Sequence, residues 1–298
     1  MGLRHRWQDF LRWVIQASSR RLSHVLVPEI ARLTQAELLS DAFDDDAALP
    51  QTIRVEDRGA DTTVVSFSNG GFMHGGLPTY AFRDLLEQLQ PPCNLVFVRD
   101  VHRVAYHLRP DATAGGLDFY EAELKATLAR LGSTTTHMIG DSSGAAAAVY
   151  FGTRCGAERI LALTMPYPLA PWASPRAFLG HLFDVRKLWR DRVAYWDNLI
   201  ISAFSVGALR TLISHVGEVG IFSPIETYSR AERRPRLTLV YGERCKADAA
   251  NALRYAELDE VELMPLPTGR HHIWISLARS GSIQRLIQDK LLGADKSQ

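Results

Sequence analysis

The sequence offers little that would support disulfide bonds, a metal site or a membrane span. Its 298 residues include only three cysteines, and Cys93, Cys155 and Cys245 form neither a C-x-x-C pair nor a zinc-binding spacing. We therefore expect free thiols in a cytoplasmic protein that needs no metal. No stretch approaches the roughly 18 consecutive apolar residues that a membrane-spanning helix requires.

The sequence also lacks an excess of charge of one sign. Its net charge is +1, with 22% charged and 46% hydrophobic residues, which is the composition of an ordinary globular protein. This balance gives no reason to expect nucleic acid as a partner. The glycine-rich segment 68–72 fits neither G-x-x-x-x-G-K-[ST] nor G-x-G-x-x-G, so we do not expect it to bind a nucleotide.

The N-terminus is basic and aromatic, without the uninterrupted apolar core of a signal peptide. Apolar side chains within residues 1–21, among them Trp7, Phe10 and Val14, fall on one face of a predicted helix. We expect residues 1–50 to form an N-terminal helical extension that docks on its own domain. Peripheral membrane contact by the first 21 residues is the alternative.

Short apolar runs alternate with helical patterns along the rest of the chain. The runs predict strands near residues 53–56, 62–68, 94–98, 134–139, 159–164, 236–241 and 261–266. Helical spacing predicts helices at about residues 78–89, 117–131 and 273–292. Such alternation is typical of an α/β fold, with a mostly parallel central sheet covered by helices on both faces.

About seventy residues without a convincing strand separate two of the predicted strands. We expect this segment, 166–235, to be a helical lid-like insert between the core segments 51–165 and 236–298. Its aromatic side chains would either line a pocket or attach the insert to the core. These are Trp172, Phe178, Phe183, Trp189, Tyr195, Trp196, Phe204 and Phe222.

The most informative motif is Gly-Asp-Ser-Ser-Gly at residues 140–144, a G-x-S-x-G pattern. It follows a β-branched, apolar run and precedes four alanines, which favour a helix. A strand, a tight turn and a helix form the context in which such a serine acts as a nucleophile, because the turn exposes its hydroxyl. We therefore expect Ser142 to be a nucleophile.

A nucleophilic serine needs a general base and an acid that orients the base, and here the acid should precede the histidine along the chain. Asp248 follows the predicted strand 236–241, and Glu243 in the same loop is an alternative acid. The adjacent His271 and His272 follow the last predicted strand. Only one of them can point inward, so either is a candidate base.

Two backbone N–H groups should bind the oxyanion that forms when an acyl carbonyl is attacked. The residue after the nucleophile, Ser143, supplies one of them. Gly70 or Gly71, in the loop after the first core strand, supplies the other, because glycine lets the backbone approach a substrate closely. Asp141 is expected either to disfavour anionic acyl groups or to cap the following helix.

The glycine loop, serine motif, acid loop and histidine loop, in this order, resemble those of the α/β-hydrolase superfamily over about residues 52–292. The resemblance implies a Ser142 nucleophile, a His271 base and an Asp248 orienting acid, with no cofactor. A leucine and then a glycine follow His271 at offsets similar to those in some bacterial members, which favours His271 over His272.

The resemblance implies a serine hydrolase of carboxylesterase type, cleaving an ester or thioester of a small acyl or glycan-like substrate. An acyltransferase with the same residues is a second interpretation. Residues 97–100 with Tyr106 resemble a bacterial branch associated with cell-surface polysaccharide loci. A non-catalytic binding or assembly module in such a pathway is therefore a third interpretation.

Overall fold

A computed structural model of the chain describes residues 51–70, 80–165, 173–216 and 223–293. The predicted N-terminal extension, with its alternative membrane contact, lies outside the described residues, as does the start of the helix predicted from residue 78. Among the described helices, none combines the length and the apolar character that crossing a membrane requires.

Seven strands form one sheet in the order β1-β3-β2-β4-β5-β6-β7. Only β1 is antiparallel to its neighbour, and the other described pairs are parallel. The mostly parallel sheet predicted from the sequence is therefore confirmed. The strands are β1 (Ile53–Glu56), β2 (Thr62–Phe67), β3 (Asn94–Val98), β4 (Thr135–Asp141), β5 (Arg159–Leu163), β6 (Arg236–Gly242) and β7 (Val261–Leu266).

Helices connect the strands, as parallel pairing requires. The described α-helices are α1 (Arg83–Leu89), α2 (Gly116–Arg130), α3 (Ser143–Arg154), α4 (Ala173–Leu182), α5 (Val185–Arg190), α6 (Arg192–Val216), α7 (Pro224–Ser229), α8 (Lys246–Ala252), α9 (Ile273–Arg279) and α10 (Ser282–Leu286).

The prediction of one continuous C-terminal helix over residues 273–292 is wrong. The helix α9 ends before Gly281, which adopts a φ of +67° in the left-handed region that glycine tolerates. The helix α10 then begins and continues as the π-helical segment Ile287–Leu292. Helical spacing alone does not reveal this break, because apolar residues recur on both sides of the glycine.

Apolar side chains cover both faces of the sheet. In β3, Val96 and Val98 belong to one core cluster, whereas Leu95 and Phe97 belong to the other. Successive side chains of a strand point to opposite faces, so the continuous apolar run of β3 reflects burial on both sides. The helices α2, α3 and α7 contribute to the first cluster, and α1, α9 and α10 contribute to the second.

The helices α4, α5 and α6 lie between β5 and α7 along the chain, within the predicted insert. Both α4 and α5 pack against the long helix α6. The last helix, α7, packs on the core helix α3, and its Tyr228 is fully buried in the first core cluster. The description of segment 166–235 as a lid stays a prediction.

We predict that Leu124→Ala lowers the free energy of unfolding by about 2–5 kcal/mol, because it leaves a cavity in a close-packed core. Leu124 of α2 is fully buried, whereas Leu253 is 59% exposed. Chemical denaturation should therefore separate Leu124→Ala from the control Leu253→Ala. Equal losses in the two variants would contradict this assignment of the core.

Candidate active site

The carboxyl ends of the parallel strands meet at one edge of the sheet, where ligands bind in open α/β folds. The loop after β2, the turn between β4 and α3, and the loops after β5, β6 and β7 all lie there. These connections, with the first turn of α8 that holds Asp248, carry the side chains predicted from the sequence.

The turn between β4 and α3 holds Ser142 in a strained backbone conformation, with φ 54° and ψ −123°. For a residue other than glycine this conformation costs free energy, and the surrounding packing maintains it. A Cβ atom on Gly140 would overlap the backbone of Gly144, and one on Gly144 would lie 2.7 Å from the carbonyl oxygen of Ser68. Both glycines are therefore required for the chain to make this turn.

The structure brings Ser142, His271 and Asp248 together. The Nε2 atom of His271 lies 2.9 Å from the Oγ atom of Ser142. Its Nδ1 atom lies 2.9 and 3.0 Å from the two carboxylate oxygens of Asp248. An ionised carboxylate only accepts hydrogen bonds, so Nδ1–H donates to Asp248, and in the neutral form of the ring Nε2 accepts from the serine hydroxyl.

All three side chains are buried, and the charges around His271 control its protonation. Burial by itself lowers the pKa of His271. The negative charge and hydrogen bond of Asp248, with the charges of Asp197 and Asp141, outweigh burial and raise this pKa to about 9. The imidazolium form is therefore strongly stabilised beside Ser142.

Glu243 and His272, the alternative candidates for the acid and the base, occupy environments different from those of Asp248 and His271. Glu243 is exposed, whereas Asp248 is buried against His271. His272 directs its Nδ1 atom at Asp197, and its ring is nearly perpendicular to that of His271. Among the described residues, no group of three or more potential ligands is placed to hold a metal ion.

Asp197, in the first turns of α6, was not selected from the sequence. Its carboxylate accepts hydrogen bonds from the backbone N–H groups of both His271 and His272 and from Nδ1 of His272. Burial acts to raise the pKa of Asp197, but the charge and hydrogen bond of His272, with the charge of His271, lower it to about 2. A negative charge on α6 therefore holds the histidine loop.

Asn198, the next residue of α6, connects the same helix to both functional loops. Its Nδ2 atom donates to the carbonyl oxygen of Gly269 at 3.0 Å. Its Oδ1 atom accepts from the thiol of Cys245 at 3.0 Å, in the loop that precedes Asp248. Asp197 is the only acidic residue within the 25 residues of α6, which makes it unusual there but does not reveal its partners in the histidine loop.

Asp141 ends β4 and does not cap α3, so the capping interpretation is wrong. Its buried carboxylate accepts hydrogen bonds from Nδ2 of Asn69 at 3.1 Å and from Oγ1 of Thr164 at 2.9 Å. Burial raises the pKa of Asp141, and the charges of the two nearby histidines oppose this effect. Asp141 thus ties the loop after β2 to the end of β5.

The donors expected for an oxyanion hole are described only in part. Ser143 is the first residue of α3, where backbone N–H groups have no partner within the helix and the helix dipole favours negative charge. Gly70 is half-buried in the loop after β2, and Gly71 lies outside the described residues. The N–H groups of this hole remain a prediction.

The segment that suggested a polysaccharide-associated branch has a structural role here. Asp100 accepts a hydrogen bond from the backbone N–H of Tyr106 at 3.0 Å, and the Tyr106 hydroxyl donates to the carbonyl oxygen of Ser68 at 3.0 Å. The guanidinium of Arg99 lies 4.8 Å from the centre of the Tyr80 ring. The contacts of Tyr106 stabilise the start of the glycine loop.

Comparison with solved structures identifies the fold. One similar structure is the α/β-hydrolase enzyme MGS-M2, from a Medee basin deep-sea metagenome library. The alignment covers 83% of this chain and 95% of the MGS-M2 chain, with a TM-score of 0.50 and 14% sequence identity. The alignment with MenH from S. aureus covers 80% of this chain and 99% of the MenH chain, with a TM-score of 0.51 and 10% sequence identity. The α/β-hydrolase fold predicted from the motifs is therefore confirmed. No protein-family model matches the sequence, and no curated protein matches it significantly.

We predict that Asp197→Asn lowers the pKa of His271, because it removes one of the negative charges that stabilise the imidazolium form. Asp197→Glu keeps the charge and should leave this pKa raised. NMR titration of the histidine ring protons measures both effects, with His271→Gln to assign the resonance. An unchanged His271 pKa in folded Asp197→Asn would contradict the electrostatic role of Asp197.

Proposed function

We propose that the protein is a serine hydrolase that cleaves an ester or thioester through an acyl-enzyme on Ser142. The observation that carries this proposal is the continuous hydrogen-bonded series from Ser142 to His271 to Asp248. A nucleophile, a base and an orienting acid within hydrogen-bond distance are the elements that acyl transfer to a serine requires.

In the first half of the reaction, Oγ of Ser142 attacks the acyl carbonyl carbon while its proton moves to Nε2 of His271. The N–H groups of Ser143 and of Gly70 or Gly71 stabilise the oxyanion of the tetrahedral intermediate. When this intermediate collapses, the bond to the alcohol or thiol breaks. The leaving group takes the proton from Nε2, and the acyl group stays on Ser142.

In the second half, Nε2 of His271 accepts a proton from water, and the resulting hydroxide attacks the acyl-enzyme. Collapse of the second intermediate releases the carboxylic acid and returns the proton to Ser142. Asp248 keeps the proton of the ring on Nδ1 and stabilises the imidazolium that forms in each half. These steps need no cofactor.

Acyl transfer to an alcohol or sugar is the second candidate function. The burial of Ser142, His271 and Asp248 favours it, because an enzyme that transfers an acyl group must keep water away from the acyl-enzyme. Product analysis with and without an alcohol acceptor separates the two reactions. Formation of the acid alone supports hydrolysis, and preferential ester formation supports transfer.

A purely structural or binding role does not account for this arrangement. A binding module needs neither a strained serine nor a histidine placed between that serine and a buried carboxylate. The strain at Ser142 lowers stability, whereas in an enzyme the same strain presents the hydroxyl to the substrate. The geometry therefore favours catalysis over assembly alone.

We expect a fluorophosphonate probe to label the wild-type protein, and Ser142→Ala and His271→Ala to abolish labelling. Ser143→Ala is a matched control, because it removes a neighbouring hydroxyl and keeps the backbone N–H; it should be labelled as the wild type is. Gel fluorescence and intact mass report the label. A folded wild-type protein that stays unlabelled would contradict the proposal.

Removing the orienting acid should slow labelling strongly. We predict that Asp248→Asn lowers the labelling rate by about 10⁴-fold, because the amide no longer holds the reactive tautomer of His271. Glu243→Gln should react at the wild-type rate, since Glu243 is exposed. Loss of labelling in Glu243→Gln, with retention in Asp248→Asn, would reverse the assignment of the acid.

A further inference from the structure

A group of apolar side chains on the insert is exposed to solvent. Five of them, which we call the insert patch, lie between the end of α4 and α5, and Phe183 and Trp189 are 73% and 75% exposed. The insert patch consists of Leu179, Leu182, Phe183, Val185 and Trp189. Of the two expectations for the aromatic residues of segment 166–235, attachment to the core is therefore wrong for Phe183 and Trp189.

The spacing within the insert patch gives it a continuous apolar side. Leu179 and Leu182 are three residues apart and share one face of α4. Phe183 directly follows the helix, and its N–H donates to the carbonyl oxygen of Leu179 at 3.1 Å, so it continues that face. Val185 and Trp189 are four residues apart and share one face of α5. Only two residues separate the helices, so the apolar face of α5 lies next to that of α4 along the chain.

Positive charge borders the insert patch. Residues 173–192 contain Arg176, Arg186, Lys187, Arg190 and Arg192, against two acidic residues, Asp184 and Asp191. Both acidic side chains accept a hydrogen bond from a backbone N–H in the first turn of a helix. Asp184 accepts from the N–H of Lys187 at 3.1 Å, and Asp191 accepts from the N–H of Ala194 at 3.0 Å. Arg186 and Arg190 form a basic stripe on α5, beside the Val185–Trp189 stripe.

We propose that the insert patch docks on an anionic lipid surface. Exposed tryptophan, phenylalanine and leucine next to arginine and lysine are the composition of a helix that lies in the membrane interface. Each basic residue near such a surface adds electrostatic attraction, and the apolar side chains gain from leaving water. The basic border distinguishes this surface from a purely apolar interface between two copies of the chain.

The insert patch is connected to the candidate active site through α6. The patch helices α4 and α5 pack on α6. Through Asp197 and Asn198, α6 holds the loop of His271 and the start of α8, which carries Asp248. A protein docked by this patch would hold its candidate site close to the membrane. The docking itself does not depend on catalysis.

The test is co-sedimentation of the full chain with phosphatidylcholine vesicles, with and without phosphatidylserine. A patch variant combines Phe183→Ser with Trp189→Ser, and a charge variant combines Arg186→Gln, Arg190→Gln and Arg192→Gln. Matched controls change exposed residues elsewhere. They are Leu253→Ser for the apolar change, and Arg130→Gln with Arg233→Gln and Arg285→Gln for the charge change.

We expect the wild type and both controls to bind vesicles that contain phosphatidylserine. The patch variant should bind at least tenfold more weakly, because two large apolar side chains are lost. The affinity of the charge variant for the anionic vesicles should fall about a hundredfold, and its affinity for vesicles without phosphatidylserine should not change. All variants should retain the wild-type melting temperature, since the changed side chains are exposed.

Three outcomes would overturn the proposal. The first is a wild type that does not bind the anionic vesicles. The second is a patch variant that binds as the wild type does, which would assign lipid binding to another part of the chain. The third is a wild-type dimer that the patch variant dissociates without any lipid binding, which sedimentation equilibrium would detect.

Discussion

The close approach of α3 to the ends of β2 and β4 is the constraint on which the candidate site depends. It requires that Gly140 and Gly144 have no side chains, and buried alanines in the first turns of α3 continue the same tight packing. Under this packing the chain places Ser142 at a positive φ, with its hydroxyl toward the histidine loop. The close packing of α3 against these strand ends therefore maintains the strained backbone of Ser142.

The histidine side of the site depends on a different kind of support. The loop that carries His271 is held by a buried negative charge on Asp197, and the start of α8, which carries Asp248, is held through Cys245 by Asn198. Both come from one turn of α6, in the segment that joins β5 to α7. Helices α4 to α6 thus have two sides with different chemistry: a buried polar side that contacts the histidine loop and the start of α8, and an outer side with exposed aromatic and basic residues.

The sequence predicted the parts of this architecture that depend on local pattern. All seven strands, their mostly parallel arrangement, and the meeting of Ser142, Asp248 and His271 follow from apolar runs, turn residues and the order of motifs. The contacts of Asp197 with the histidine loop and of Asp141 with Asn69 were missed because they join residues 72 to 75 positions apart, and no local pattern encodes such a pairing. The break at Gly281 was missed because the helical spacing of apolar residues continues across it.

The central claim is that the strained serine beside His271 carries the acyl group during the reaction. Rapid acid quenching during turnover of p-nitrophenyl acetate, followed by peptide mass spectrometry, tests it most directly. The account predicts an acetyl group on the peptide that contains Ser142, which accumulates before the steady state and disappears when substrate is exhausted. Turnover without an acetyl group on Ser142, or with acetylation of another residue at the kinetically competent rate, would contradict it.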